Sequence, residues 1–286
     1  MENEYFSHID TIQTKEPIEN REIQNLSTRG IKLNKIIDNH VKTIYNPNNY
    51  KYGYSLNKTL AETENIIDKM MVDLTVIDID AVEYKRVDVA TDVSAQFDSI
   101  SKFLELIHRC MTSTLEGKTW INTDMYNLKE SNIRFDNRSL QIEFYDKDKE
   151  SNGVAPYPTR MEIRFKRISS KDLKFHVKNA IKLWKDVPSN LEDVEGAVIE
   201  MLKHLYSDEL KSRKIANFND FVCRYQERIF TRHILEEVYK VTGLKTPFKI
   251  WLGRYKENHN LTFYTKTEIK TFVKDVIKSL KNYIKK

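Results

Sequence analysis

Residues 86–93 read Arg86-Val-Asp88-Val-Ala90-Thr-Asp92-Val93. Val87, Val89, Thr91 and Val93 alternate with Arg86, Asp88, Ala90 and Asp92. Successive side chains on a strand point to opposite faces, so this stretch predicts a strand with one apolar and one polar face. On either side the period changes. Leu60, Ile66, Ile67, Met70, Met71 and Leu74 recur at helical spacing before it, and Phe97, Ile100, Phe103, Leu104, Ile107 and Met111 after it. A two-faced strand between two amphipathic helices points to an α+β fold: an antiparallel sheet with helices on one face.

Further along, 133–135 and 140–145 flank Asp136-Asn137-Arg138 and predict a β-hairpin, because Asp and Asn favour tight turns. Its second strand turns Leu140, Ile142 and Phe144 inward and Gln141, Glu143, Tyr145 and Lys147 outward. After a polar loop containing Asn152-Gly153, Met161, Ile163 and Phe165 alternate with Arg160, Glu162, Arg164 and Lys166, which predicts another strand. From about Ser170 the spacing is helical, and Gly243 is an expected helix stop. Upstream, 1–25 lack periodicity and read as a flexible arm. Leu33, Ile36 and Ile37 suggest a short helix, and Tyr52 to Leu56 a strand. The expected organisation is an arm (1–25), a catalytic α+β domain (26–206) and a helical, basic C-terminal domain (207–286), with the boundary in the polar stretch 207–217.

The chain has 286 residues, 40% hydrophobic and 31% charged, which suits a globular protein with a real core. Two cysteines, Cys110 and Cys223, make neither a disulfide framework nor a four-cysteine zinc site. Residues 1–20 are acidic and polar and carry no signal-peptide pattern, and no apolar run approaches the roughly 20 residues that cross a bilayer. A cytoplasmic location without membrane contact is expected. The net charge of +5 is unevenly placed: 244–286 hold eleven Lys or Arg and three acids, so the rest of the chain is net acidic. Such a basic segment suits a nucleic-acid partner as well as a solvated lysine face.

If the three strands share a sheet, its outward face brings together Asp88, Asp92, Glu143, Glu162, Arg86, Arg160, Arg164, Lys166 and Tyr145. That mixture has a use in phosphoryl transfer. Carboxylates hold a hard divalent ion such as Mg²⁺ or Mn²⁺, Arg and Lys stabilise charge on phosphate oxygens, and a tyrosine hydroxyl can form a covalent phosphoester. Alternating polar residues are also the usual pattern of a solvated sheet face. Tyr126 and Tyr157 are nearby alternatives to Tyr145, and the seven histidines form no His-x-His pattern.

Three segments resemble the rolling-circle replication initiators of small Gram-positive plasmids, a replication-initiation-factor family that includes relaxases of integrative elements. Arg86-Val-Asp88-Val-Ala90-Thr-Asp92 resembles its R-x-D-x-A-x-D strand. Tyr145-Asp-Lys147-Asp-Lys149-Glu150 resembles its Y-N-K-x-x-E segment. Arg160-Met-Glu162-Ile-Arg164-Phe-Lys166 resembles its R-x-E-x-x-x-K strand. The resemblance covers about residues 50–170. It implies an origin-specific enzyme that nicks and rejoins DNA through a 5′-phosphotyrosine intermediate to start rolling-circle replication. Tyr145 would be the nucleophile, with Lys147 and Glu150 beside it. Asp88 and Glu162 would hold Mg²⁺ or Mn²⁺, and Arg86, Lys147, Arg160 and Lys166 would contact phosphate. The family's R-V-E-F strand before the first helix has no carboxylate counterpart in Tyr52-Gly53-Tyr54-Ser55, and Arg164 stands where plasmid members often carry an acid, departures that imply either weaker metal binding or a metal set completed by Glu143.

The implied partners are double-stranded origin DNA, single-stranded DNA, a host helicase and, as in many members, a second copy. Two other readings stand beside the plasmid initiator. One is a relaxase of a conjugative or integrative element. The other is a non-catalytic, sequence-specific DNA-binding protein whose contacts come from the basic C-terminal helices, with Lys249, Arg254 and Lys256. In that segment Arg232–Thr242 and Thr246–Lys256 around Gly243 read either as a helix-turn-helix or as an ordinary helical hairpin.

Overall fold

A computed structural model describes residues 3–17, 30–37, 40–50, 59–73, 78, 80–115 and 132–285. The alternating stretch at 86–93 lies in a strand at the centre of a seven-stranded sheet. In chain order the strands are β1 (Tyr5–Pro17), β2 (Ile31–Ile37), β3 (His40–Tyr45), β4 (Glu83–Val93), β5 (Asn132–Asp136), β6 (Leu140–Asp146) and β7 (Thr159–Lys166). Their spatial order is β2-β3-β1-β4-β7-β6-β5, and every neighbouring pair is antiparallel.

The helices are α1 (Leu60–Asp73), α2 (Phe97–Thr112), α3 (Lys147–Glu150), α4 (Leu173–Asp186), α5 (Leu191–Lys211), α6 (Phe218–Tyr225), α7 (Arg232–Lys240), α8 (Phe248–Asn258) and α9 (Lys266–Lys285). The fold is α+β, an antiparallel sheet with helices followed by a helical C-terminal region, as the sequence pattern predicts. The chain divides into two compact units that are discontinuous in sequence. One comprises Met1–Ser99, Tyr126–Trp184 and Lys274–Lys286; the other comprises Ile100–Met125 and Lys185–Val273. The expected boundary at 207–217 is not where this division falls, and α5 carries Ser207 and Asp208 within a helix.

In the sheet unit the register builds a continuous apolar face. Ile9 pairs with Val89 and Ile12 with Val87; Val87 and Val89 pair with Phe165 and Ile163; Ile142 and Phe144 pair with Ile163 and Met161. α4 closes this face, with Trp184 stacked on Phe144 at 5.9 Å and His176 tilted on Phe165 at 5.5 Å. In the other unit Phe218, Tyr206, Phe221, Tyr239 and Trp251 form an aromatic cluster that joins α5, α6, α7 and α8.

Two upstream expectations are corrected. Tyr5–Pro17 is no arm but a long strand between β3 and β4. Its apolar Ile9 and Ile12 are three residues apart because the register shifts between Ile9 and Thr11, a β-bulge at Asp10. Leu33, Ile36 and Ile37 lie in strand β2 rather than in a helix, since this segment pairs along β3. The strand predicted at 52–56 lies outside the described residues, as do 18–25 of the predicted arm.

Candidate active site

The pairing register lays out the polar face in rows across β1, β4, β7, β6 and β5. One row runs Phe6, Asp92, Arg160, Tyr145, Asn132, and the next runs His8, Ala90, Glu162, Glu143, Arg134. A third runs Thr11, Asp88, Arg164, Gln141, Asp136, with Asp10 set beside Thr11 by the bulge. Bulges commonly re-aim a side chain next to a site, and this one turns Asp10 toward Arg160 on the polar side. Where β3 ends at Tyr45, side chains take over the edge of β1. The Ile9 N–H donates to Tyr283 Oη at 3.2 Å, and the Ile9 carbonyl accepts from Asn48 Nδ2 at 3.1 Å.

The face is not the solvated surface that alternation alone predicts. His8, Asp88, Asp92, Arg160 and Glu162 are all buried, Arg160 completely. Buried charges need partners, and these have them. Arg160 donates to both oxygens of Asp92, at 2.6 and 2.9 Å, and through Nη1 to Asp10. Arg86 donates to Asp88 at 2.7 Å. Arg164 donates to Asp88 at 3.1 Å and also to Glu162. Burial would raise the Asp10 carboxyl, but Arg160 and His8 hold it well below the usual carboxylate range. Burial, with Asp88 and Asp10 nearby, pushes the Glu162 carboxyl up to about 8.

Tyr145 sits in its row between Arg160 and Asn132 and is partly accessible. Its hydroxyl donates to Glu162 Oε2 over a long 3.4 Å. Lys147 begins α3, which Asp146 caps by accepting from the Lys149 N–H at 2.9 Å. After α3 the chain turns through Asn152 and Gly153, both left-handed, and the Pro158 carbonyl accepts the Lys147 N–H at 2.7 Å. Lys147 pairs with Glu150, and its Nζ lies 5.8 Å from the centre of the Tyr145 ring. Burial and the carboxylates of Glu162 and Asp10 raise Tyr145 well above the ordinary tyrosine value.

The sequence-predicted residues are brought together as follows. Asp88 and Glu162 lie on neighbouring strands and share a face, with Arg164 bonded to both. Arg86 and Lys166 keep part of their side chains exposed, Lys166 being paired with Asp136. Arg160 is enclosed among carboxylates, so its guanidinium orders Asp10 and Asp92 and has no exposed surface to offer phosphate. Glu143 accepts from Gln141 at 2.8 Å and from Asn132. Tyr157 donates to Glu4 at 3.2 Å and lies against Phe6, and Tyr126 falls outside the described residues. Lys249, Arg254 and Lys256 are exposed on α8 in the helical unit.

Sequence reading missed His8 and Asp10. Their signal is the alternation Phe6, His8, Asp10 against Ser7 and Ile9, which the bulge cuts short. His8 is fully buried, both of its ring nitrogens lack a hydrogen-bond partner, and Nε2 lies 3.8 Å from Asp10. Burial lowers its ring to about 4, so it is neutral near pH 7. A neutral imidazole beside the Asp10 carboxylate is donor chemistry that a divalent ion can use. Among the described residues, however, no three of these groups are gathered in a ligating arrangement, because guanidinium groups stand between them.

No family model matches this chain, and no protein of curated function matches it. Among solved structures it is similar to a rolling-circle replication initiator protein from Geobacillus stearothermophilus, at 10% identity and a TM-score of 0.29, over 66% of this chain and 80% of that one. No helix among the described residues is long and apolar enough to cross a membrane.

Proposed function

We propose that this chain is a tyrosine DNA-nicking and rejoining enzyme that opens an origin for rolling-circle replication, with Tyr145 as its nucleophile. The observation that supports this reading is the placement of a partly accessible tyrosine hydroxyl at the margin of a buried face of carboxylates and guanidinium groups, with Glu162 as its hydrogen-bond acceptor.

The Tyr145 oxygen attacks phosphorus, a Tyr–O–P bond forms, and the bond from phosphorus to the 3′ oxygen breaks. The freed 3′ oxygen takes up a proton and leaves as a hydroxyl. Since the phenol is neutral before attack, its proton leaves as the new bond forms, and Glu162 Oε2 takes it in the ionised form of that carboxyl, which, raised to about 8, becomes more abundant as pH rises. Attack by a 3′ hydroxyl on the phosphotyrosine reverses the steps and rejoins the strand. Arg86, Lys147 and Lys166 are the cations that would meet the phosphates. Arg160 acts at one remove, holding Asp10 and Asp92 in place.

Mg²⁺ or Mn²⁺ belongs to this reading: Asp88, Glu162, Asp10 and His8 are the residues that would hold it, and when bound it would offset charge on the phosphate oxygens. A calorimetric titration with Mn²⁺ reads this without reference to activity; binding by the unaltered chain should be lost in Asp88→Asn.

The test of the whole reading is incubation with negatively supercoiled plasmid carrying the cognate origin, in Mg²⁺ or Mn²⁺. A covalent protein–DNA adduct is expected from the unaltered chain and none from Tyr145→Phe, whose DNA binding should persist. An adduct from the phenylalanine variant contradicts the assignment. Salt-sensitive binding with no adduct from either protein favours a non-catalytic DNA-binding protein.

A further inference from the structure

The helical unit carries a surface of a different kind. Between Glu237 and Glu257 the sequence has no acid and five cations: Lys240, Lys245, Lys249, Arg254 and Lys256. α7 ends at Lys240, the chain turns through Gly243 in a left-handed conformation (φ 68°), and α8 begins at Phe248. α8 is held from behind. Trp251 packs on Phe218 at 5.0 Å and on Tyr239 at 5.2 Å, and its indole N–H donates to Asn219 at 2.9 Å. The Tyr239 hydroxyl donates to the Thr246 carbonyl at 2.6 Å and ties down the turn.

The outer side of α8 presents Lys249, Ile250, Gly253 and Arg254, all exposed. Three large apolar side chains stand in water here: Val241 and Leu244 in the turn, about half exposed, and Ile250 on α8 at 48%. Gly253 is the telling residue. It lies inside the helix, its φ is ordinary, and a Cβ there would meet nothing within 4 Å. Glycine weakens a helix interior relative to alanine, and nothing among the described residues requires it here. A glycine on a helix flanked by exposed cations is explained when another backbone must come close to that helix.

We propose that α8 enters the major groove of duplex DNA, with Lys249 and Arg254 on phosphate or base edges, Ile250 toward thymine methyl groups, and Gly253 at the point of closest approach. This deepens the nicking reading and rests on it only for the identity of the duplex as an origin. The residues concerned are the second, third, sixth and seventh of the helix, and recognition helices read bases from their N-terminal part. The exposed cations Lys245, Lys249 and Arg254 suit a polyanion, and duplex DNA presents phosphates on both sides of a groove that admits a helix.

The experiment uses the full chain and a fluorescent 30-base-pair duplex of cognate origin sequence, with anisotropy read over a series of KCl concentrations. Lys249→Ala with Arg254→Ala should weaken binding on the order of tenfold and reduce the slope of log affinity against log salt by about 1.8. Gly253→Ala should raise the thermal midpoint, as helix propensity requires, and yet weaken duplex binding. Unchanged affinity and slope in the double variant overturn the proposal, and so does a Gly253→Ala protein that binds as tightly as the unaltered chain. Tyr145→Phe separates the two readings: loss of the adduct bears on the nicking site alone, and the duplex affinities above do not depend on it.

Discussion

The cations of the sheet and those around α8 meet different surroundings. On the polar face Arg86, Arg160, Arg164 and Lys166 each lie against a carboxylate of the same unit, and Arg160 has no exposed surface at all. From Lys240 to Lys256 no acid interrupts the sequence, and Lys245, Lys249 and Arg254 stand in water. The difference teaches what a positive charge is for in each place. A guanidinium enclosed by carboxylates fixes their positions, and most of its electrostatic energy is spent inside the protein. An exposed cation with no local acid adds little to folding and keeps its attraction for a partner.

Substitutions can break that contrast. Arg160→Met would leave Asp10 and Asp92 buried without their counter-charge, which should destabilise the chain by about 3–5 kcal/mol. Urea unfolding measures it, and a loss below ~1 kcal/mol would mean that the buried pairs are not what orders the face. Asn48→Ala should cost about 1–3 kcal/mol, because the Ile9 carbonyl beside the bulge loses its donor. The same unfolding curves test it, and an unchanged midpoint would show the bulge to be held by the sheet alone. Lys245→Ala should leave stability within about 0.5 kcal/mol while lowering the salt slope of duplex binding by about 0.9. A destabilised Lys245→Ala protein would place that lysine with the structural cations instead.

The sheet was legible where alternation is unbroken. Arg86 to Asp92, Leu140 to Tyr145 and Arg160 to Lys166 keep a period of two, so their faces and their common polar side follow from spacing, and β4, β6 and β7 carry them in adjacent registers. β1 was not legible. The bulge places Ile9 and Ile12 three apart, and a polar, weakly periodic segment resembles an arm until its neighbours in space are known. With it were lost Asp10 and His8. Burial of the polar face was equally hidden, since alternation says which residues share a side and nothing of what excludes water from it. That is why Arg160 read as a phosphate contact, and why the rise of Tyr145 above the ordinary tyrosine value, which burial and the nearby carboxylates cause, was not visible.

If Tyr145 is the nucleophile, its phenolic oxygen is the atom that becomes joined to DNA. The adduct formed on origin DNA can be trimmed with nuclease, digested with protease and sequenced by mass spectrometry. A nucleotide-bearing peptide modified at Tyr145 is the predicted result. Modification at Tyr157 or Tyr126, with Tyr145 unmodified, would contradict the assignment of the polar face as the site of strand transfer.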